Sequence, residues 1–589
     1  MAEVLTDQAT RTQSKIHATG LDMSEKNQGS DTPSERKNDP SEEDFQRGVR
    51  QARAITTVWG KRTLWLMFAL LYIVSFVDQL LVSVQSSLNP YITSAFGRHG
   101  LLAAVSIVPT ILAGTAKLTL AKIIDLSGRV EGFIFMLGIS ILGCIIKATA
   151  QDIQTYIAAH TLYWTGHLGL LYVIDVMLSD MTTLKNRMIV LTVNTTPLIA
   201  TTFAGPRVAE LFYNNSNFRW AFGAFSFVLA GICLPVIVIM LWSQRKAVKT
   251  GDLIRYDSGR NWWQSIKHIY IQMDITGIIL ITAAFALFLL PFSLASYAPQ
   301  GWRTGYIIAM LVLGIILMPT FCAWERYVSP VPFLKWEYLL NPTILGSCFL
   351  YCILFVSIFC WNSYMSSYLQ VVHQLSISNA GYVLNALSLT SAVFSPFIAW
   401  IIRATGDFKY TAYSGVPILV IGTALLIPFR TPNTNIGLVA FTQILVGLGS
   451  GIFSTCVQLS IMVPVTHQEI AAVLAIQGLF GSIGSSIGIA IAGAIWNNVL
   501  PDQLYNRLPD ESKDLAASIF ASLPTQLSYE WGSPEREAIV DAYGAVQRYM
   551  VIAGACFTPF CLLSIYIWRN VNVKKLEEEY GRQTKGTVW

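Results

Sequence analysis

The sequence predicts an all-α polytopic membrane protein with about fourteen transmembrane helices. Three observations predict it. Of 589 residues, 53% are hydrophobic and only 13% are charged, against ~25% charged in an average soluble chain. The charges are uneven: residues 1–63 hold 10 Lys/Arg and 10 Asp/Glu, whereas the remaining 526 hold only 30 and 25. Apolar runs near the ~20 residues needed to cross a bilayer recur along the chain. They are longer than the ~10-residue strands of a membrane barrel and do not alternate as such strands do. A chain this poor in charge cannot cover a soluble surface, which excludes the ordinary cytosolic enzyme. The net charge of +5 comes mostly from short loops and gives no reason to expect nucleic-acid binding.

The first ~45 residues are polar, lack apolar periodicity and read as a disordered cytoplasmic tail. They contain no apolar core followed by a small-residue cleavage site, so no signal peptide is expected. Arg47, Arg50, Arg53, Lys61 and Arg62 lead into the first apolar run. Runs follow at 64–84, 101–121, 132–150, 156–178, 188–212 and 220–242. After a basic, polar stretch at 243–273 come 275–295, 304–324, 342–361, 380–402, 413–428, 436–463, 470–496 and 549–568. With the N-terminus inside, the inner connections collect Lys122, Arg129, Lys185, Arg187, Arg245, Lys246, Lys249, Arg255, Arg260 and Lys267. Arg326, Lys335, Arg403 and Lys409 extend that bias, which the positive-inside rule requires. An even helix count puts both termini in the cytoplasm. Asn214-Asn215-Ser216 then forms a glycosylation sequon in an outer loop.

The segment 497–545 is a long polar outer connection that carries Tyr505, Phe520, Tyr529, Trp531 and Tyr543. Loops this long are commonly functional, and substrate contact and a passive lid are the two readings. The nine cysteines all lie in apolar runs, with no Cys-x-x-Cys pair. They read as small buried packing residues, so neither a metal site nor a disulfide framework is expected. Gly481, Gly484 and Gly488 have the spacing of close helix packing. No Gly-Lys-Ser/Thr phosphate loop occurs, so no internal ATPase and no cofactor is expected.

Between the second and third runs stands Ala121-Lys122-Ile123-Ile124-Asp125-Leu126-Ser127-Gly128-Arg129. This resembles the loop signature of the major facilitator superfamily, Gly-x-x-x-Asp-Arg-x-Gly-Arg, with Asp125, Gly128 and Arg129 matching. A tight turn at Gly128 would leave Asp125 and Arg129 free for charge-assisted hydrogen bonds to neighbouring helix ends. Gly205-Pro206 is similar to the start of the superfamily's antiporter motif, but Ala209-Glu210 replaces its next glycines. The fourth run, Tyr163-Trp164-Thr165-Gly166-His167-Leu168-Gly169, lacks the arginine of drug/proton antiporters. The closer resemblance is to the fungal siderophore–iron transporters, a fourteen-helix branch. It rests on 121–132, on Asp175 with Ser179-Asp180-Met181-Thr182-Thr183-Leu184-Lys185-Asn186-Arg187, on Phe218-Arg219-Trp220-Ala221-Phe222, on Val465-Thr466-His467-Gln468-Glu469-Ile470-Ala471, and on the long outer loop.

That resemblance implies a major facilitator fold with two extra helices. The expected organisation is a cytoplasmic tail at 1–63, a six-helix half at 64–242 and a cytoplasmic basic loop at 243–274. The added pair follows at 275–324, then the C-terminal half helices at 325–496, an extracellular loop at 497–548, a last helix at 549–568 and a cytoplasmic tail at 569–589. It also implies proton-driven uptake of ferric siderophores, usually hydroxamates. The membrane would be the plasma membrane, with endosomal vesicles as the alternative. A proton-driven exporter of drugs, toxins or glutathione and a siderophore transceptor are the competing functions. Ligand, protons and lipid are the expected partners.

Ionisable residues inside a membrane are costly and mark function. Here they concentrate in the first five runs: Asp78, Lys117, Lys147, His160, His167, Asp175, Arg207 and Glu210. Asp78 is the sharpest. Ser75, Val82 and Gln85 share its helical stripe, which would face a cavity. Burial and a cation at Lys117 act in opposite senses on a carboxylate's hold on its proton, so Asp78 is either a proton carrier or a static ion-pair partner. Glu210 follows Arg207 by one turn, as a surface pair or a coupling group. His160 and His167 share one face of their helix, to shuttle protons or to pack. Asp175, Asp180 and Arg187 read as a gate or structural network.

Trp361, Tyr364 and Tyr368 fall on one helical face, as an interfacial belt or a stacking wall for a bulky ligand. With Gln85, Trp164 and Tyr543 they make up the candidate substrate contacts. A ferric trihydroxamate hides its metal inside an organic cage, so the site would need aromatics and hydroxyl or amide groups rather than iron ligands.

Overall fold

Helices stand at the apolar runs along the whole described chain. The computed structural model describes residues 59–182, 190–191, 193–250, 261–272, 274–332, 334, 336–465 and 470–575, without the side chains of 116–127, 262, 269, 272 and 470–472. The helices are α1 Lys61–Ala95, α2 Leu102–Ser127, α3 Arg129–Thr149, α4 Ile153–Asp180, α5 Pro197–Asn215 and α6 Phe218–Thr250. An amphipathic α7 Trp262–Gln272 precedes α8 Ile275–Leu289 and α9 Gly305–Ala323. Then come α10 Pro342–Asn362, α11 Met365–His373, α12 Ile377–Thr405, α13 Phe408–Phe429, α14 Ile436–Met462, α15 Ile470–Arg507 and α16 Pro534–Phe557. The one β contact among the described residues is an isolated bridge between Asp407 and Asn572.

Local chemistry sets many of the boundaries. Asn341 caps α10 by accepting from Thr343 N at 3.0 Å, with Pro342 in the first turn. Ser533 accepts from Arg536 N at 3.2 Å ahead of Pro534 in α16. Both combine an N-cap acceptor with a proline whose missing N–H costs nothing there. Asp152 caps α4 through Thr155 N at 2.7 Å, and these hydrogen bonds hold its carboxyl below the usual carboxylate range.

Eleven helices among the described residues are long and apolar enough to cross a membrane by length and composition. The 28-residue α4 is not among them, because His160, Tyr163, Trp164 and His167 dilute its apolar run. α3 and α4 pack so closely that a side chain at Gly143 would meet the Tyr163 backbone, and one at Gly166 would meet the Ser140 backbone. The predicted small-residue seam on α15 is present: Gly484 and Gly488 lie against the Cys352 and Val356 carbonyls of α10.

Two predicted segments differ from the structure. The polar segment 497–545 is largely helical rather than a loop: α15 runs on to Arg507, short helices cover Ala516–Ala521 and Leu523–Ser528, and α16 begins at Pro534. Ile519, Leu523, Ile539, Tyr543 and Val546 are fully buried, so this segment packs as part of the bundle. The last helix starts fifteen residues before its predicted start at 549. Not every cysteine is buried either: Cys322 and Cys556 are exposed. Both lie in candidate membrane spans, where a thiol tolerates an apolar surround.

Candidate functional site

A central cavity of about 500 Å³ separates helices from the two ends of the chain. On one side α1 contributes Gln85 and Asn89, α2 Ser106 and Thr110, and α4 His160 and Trp164. On the other, α10 contributes Tyr351, Phe355, Phe359 and Asn362, and α15 contributes Ser482 and Ser485. Ser363 and Ser366 line it where α10 breaks before α11. Among the described residues no Asp, Glu, Lys or Arg lines this space. The wall offers hydroxyls, amides and aromatic faces, the set suited to a bulky polar ligand without net charge at its contact surface.

Behind the α1–α4 wall lies a buried polar network. Asp78 is fully buried, and its Oδ2 accepts from His167 Nδ1 at 2.6 Å. Its Oδ1 has no hydrogen-bond partner among the described residues. The partner expected from sequence was Lys117, whose side chain lies outside the description. The ring of Tyr163 stacks between the two histidines, with centroids 6.0 Å from His167 and 6.4 Å from His160. Trp164 packs against both, at 5.1 and 5.7 Å. His160 Nδ1 lies 3.1 Å from the Gln85 amide nitrogen, and the Gln85 carbonyl accepts from Lys147. The expected shared face of His160 and His167 is therefore real. It connects a cavity-lining histidine to a buried carboxylate–imidazole pair.

The loop motif is assembled in part. Gly128 adopts φ 105°, a conformation that favours glycine, and lets the chain reverse between α2 and α3. Arg129 Nε donates to Asp180 Oδ2 at 2.9 Å, tying the start of α3 to the end of α4. Asp175 is exposed and accepts from Asn194 at 3.3 Å. The Asp125 side chain and all of Arg187 lie outside the described residues.

Glu210 bridges across the bundle. Its Oε1 is 3.5 Å from Arg207 Nη1, as the spacing predicted, but its Oε2 accepts from both the N–H and the hydroxyl of Ser378 at the start of α12. It shares that end of the bundle with other contacts between early and late helices. Tyr91 donates to Gln370, Tyr364 to the Gly100 carbonyl at 3.0 Å, and Ser367 meets His99 at 3.3 Å.

Of the aromatic candidates the structure brings Trp164 to the cavity and leaves the other four away from it. Trp361, Tyr364, Tyr368 and Tyr543 are fully buried and absent from its wall. Trp361 faces the Arg430 guanidinium, 4.7 Å from the ring centroid. Tyr364 stacks on Trp496 at 4.0 Å, and Tyr543 donates to Gln526 at 2.5 Å. The break at Asn362–Tyr364 ends the continuous helix on which the predicted single face depended. Tyr351, Phe355 and Phe359 take the cavity instead. Their four-residue spacing was a signal available in sequence. Lys147 and Arg430 were visible as charged residues, but nothing in their neighbourhoods marked the contacts they make.

Membrane-length helices around a cavity lined from both ends of the chain, with a buried ionisable pair beside it, are the architecture of a polytopic transporter. The family model for the major facilitator superfamily matches residues 71–489. The chain is 58% identical over 556 residues to MFS siderochrome iron transporter 1 of Ajellomyces capsulatus, covering 94% of this chain and 96% of that protein. It is 39% identical to siderophore iron transporter mirB of Emericella nidulans, covering 92% and 89%. To siderophore iron transporter 1 of Schizosaccharomyces pombe it is 31% identical, covering 90% and 86%. Among solved structures, a bacterial homologue of the human lysosomal transporter Spinster matches with TM-score 0.56 at 13% identity, over 87% of this chain and 98% of that one. The chain belongs to the siderophore–iron transporter family of the major facilitator superfamily.

Proposed function

We propose that this protein carries ferric siderophores, of the hydroxamate type, inward across a fungal plasma membrane in symport with protons. The observation that carries this reading is the hydroxyl- and aromatic-lined cavity, free of Asp, Glu, Lys and Arg among the described residues, standing one histidine away from the buried Asp78–His167 pair. Relatives named as siderophore iron transporters support the cargo. Iron travels inside the ligand, so the transporter recognises the organic cage by shape, aromatic contact and hydrogen bonds, and its own residues do not ligate metal.

Symport follows from the chemistry of the pair. A buried carboxylate with one oxygen bonded to imidazole and the other without a hydrogen-bond partner among the described residues can take up a proton at Oδ1 without breaking its existing bond. Protonation removes a buried charge and so shifts the balance between conformations. A proton crossing the membrane potential supplies ~2.3 kcal/mol per 100 mV, enough for accumulation without ATP. In this reading fourteen helices cross with both termini inside. The α1–α2 end faces outward, and two halves, 64–242 and 325–568, rock about the midplane cavity. Gln85 and Trp164 contact ligand. The contacts at Tyr91, Glu210 and Tyr364 close the outer side.

The test is accumulation of iron-labelled ferric trihydroxamates in a yeast lacking its own siderophore transporters, with and without a protonophore. Uptake that collapses on uncoupling supports symport. No accumulation of any siderophore removes the cargo assignment, and uptake indifferent to the protonophore removes the coupling.

A further inference from the structure

Lys147 of α3 has no role in the function proposed above. Its ammonium is fully buried, and among the described residues no carboxylate pairs with it. It is enclosed by aromatic faces instead: Phe222 at 3.9 Å, Tyr163 at 4.5 Å and Tyr156 at 5.5 Å from the ring centroids. Ring quadrupoles attract a cation in this geometry, but burying an ammonium remains costly. A residue that only filled space here would be served better by methionine or leucine. Among the described residues, the hydrogen-bond acceptor it meets is Gln85 Oε1.

That contact fixes the orientation of the Gln85 amide. An ammonium has donors only, so the amide atom facing it must be the oxygen. The amide NH2 is then turned toward the cavity side, where its nitrogen lies 3.1 Å from His160 Nδ1 and 3.3 Å from Nε2. An amide nitrogen only donates, so a neutral His160 accepts at one ring nitrogen and carries its own proton on the other. Gln85 and His160 both line the cavity, so this corner presents donors to an occupant. Without Lys147 the Gln85 amide could flip, and its carbonyl would face the cavity instead.

We infer that Lys147 is a positioning residue that locks the Gln85 amide with its N–H edge toward the cavity, and so selects ligands that present acceptor oxygens, such as amide or hydroxamate carbonyls, to that corner. The inference rests on the transport reading above and adds a determinant of affinity to it. The groups facing Lys147 from the packed elements are Gln85 of α1, Cys144 of α3, Tyr156, His160 and Tyr163 of α4, and Phe222 of α6. It therefore lies outside the Asp78–His167 contact itself.

The test is concentration-dependent uptake of a ferric trihydroxamate by wild type, Lys147→Met and Gln85→Glu, normalised to the amount of transporter in the membrane. Wild-type uptake alone tests the cargo, and the ratios of variant to wild type test this inference. Lys147→Met should raise KM roughly tenfold, the equivalent of one hydrogen bond to a well-placed acceptor, while Vmax and protonophore sensitivity change little. Gln85→Glu forms an ion pair with Lys147, so it should reach the membrane, yet it replaces the donor edge with an acceptor and should lose affinity at least as far. Lys147→Arg, which keeps a buried donor to Oε1, should restore KM toward wild type. Unchanged KM in Lys147→Met, or wild-type KM in Gln85→Glu, would overturn the inference. So would a fall confined to Vmax in both.

Discussion

Asp78 and His167 lie 89 residues apart and share a 2.6 Å hydrogen bond inside the helical bundle. The carboxylate is fully buried and the imidazole nearly so, and the neighbouring Trp164 reaches from this pair to the cavity wall. If this pair carries the proton, Asp78→Asn keeps the shape and removes the titratable group. Accumulation against a gradient should then fall roughly tenfold or more, the equivalent of one pH unit of driving force. Binding of ferric siderophore to the purified protein should persist. Iron-labelled uptake set against equilibrium binding checks it, and an Asp78→Asn protein with full protonophore-sensitive uptake would remove Asp78 from the mechanism.

Glu210 joins α5 to the first turn of α12 through Ser378. A carboxylate at a helix N-terminus is stabilising there, so Glu210→Gln should weaken closure at the α1–α2 end. A cysteine introduced at Asn379, in the same turn, should react faster with a membrane-impermeant thiol reagent in Glu210→Gln than in the parent. Equal labelling rates would show that Glu210 does not hold this end closed.

Arg129 and Asp180 bind α3 to α4 at the loop motif. Arg129 is 6% exposed and Asp180 24%, so the bond is largely shielded from water. Asp180→Ala should cost about 1.5–3 kcal/mol, the range for a hydrogen bond to a charged group. This would be read as a lower Tm of the detergent-purified transporter.

Gly143 and Gly166 allow α3 and α4 to touch backbone to backbone. Gly143→Val should separate the helices and cost about 1–3 kcal/mol, as overpacking does. Because Lys147 and Tyr163 sit one turn away on the same two helices, siderophore affinity should fall with it. A Gly143→Val protein with wild-type Tm and KM would contradict the close contact.

Asp152 caps α4, the helix that carries both histidines. Its carboxyl is held below the usual range by bonds from Thr155. A group lowered in the folded state adds stability above its unfolded pKa and loses it as pH falls through the folded value. The cap should therefore hold throughout the neutral range and weaken only in strong acid, below ~pH 4. Asp152→Ala should lower Tm at pH 7, and the difference from wild type should shrink at the acid end.

The bundle was legible in sequence because each apolar run carries its own signal, and a helix in lipid must satisfy its backbone internally. Asp78, His167, Gln85 and Trp164 were legible as polar residues that a membrane helix does not tolerate without purpose. Their pairing was not, because the face of α1 that meets α4 depends on packing across the bundle, and the Asp78–His167 bond joins residues 89 apart in the chain. The aromatic trio at 361–368 was placed on one face by assuming an unbroken helix, and the turn at Asn362–Tyr364 removes that basis. The start of α16 was hidden by its charged residues, of which Glu537 is exposed and Arg536 is buried. Ala538, Ile539, Ala542, Tyr543 and Val546 are buried at helical spacing, a period that a search for continuous apolar runs passes over.

In the proposed mechanism a proton gradient drives siderophore uptake through the Asp78–His167 pair. Its most direct measurement is uptake of iron-labelled ferric trihydroxamate into proteoliposomes that hold the purified transporter, with an imposed gradient acid outside. Wild type should accumulate ligand above the external concentration, and Asp78→Asn should only equilibrate it. Accumulation by Asp78→Asn equal to that of wild type, or wild-type accumulation without any gradient, would contradict the account.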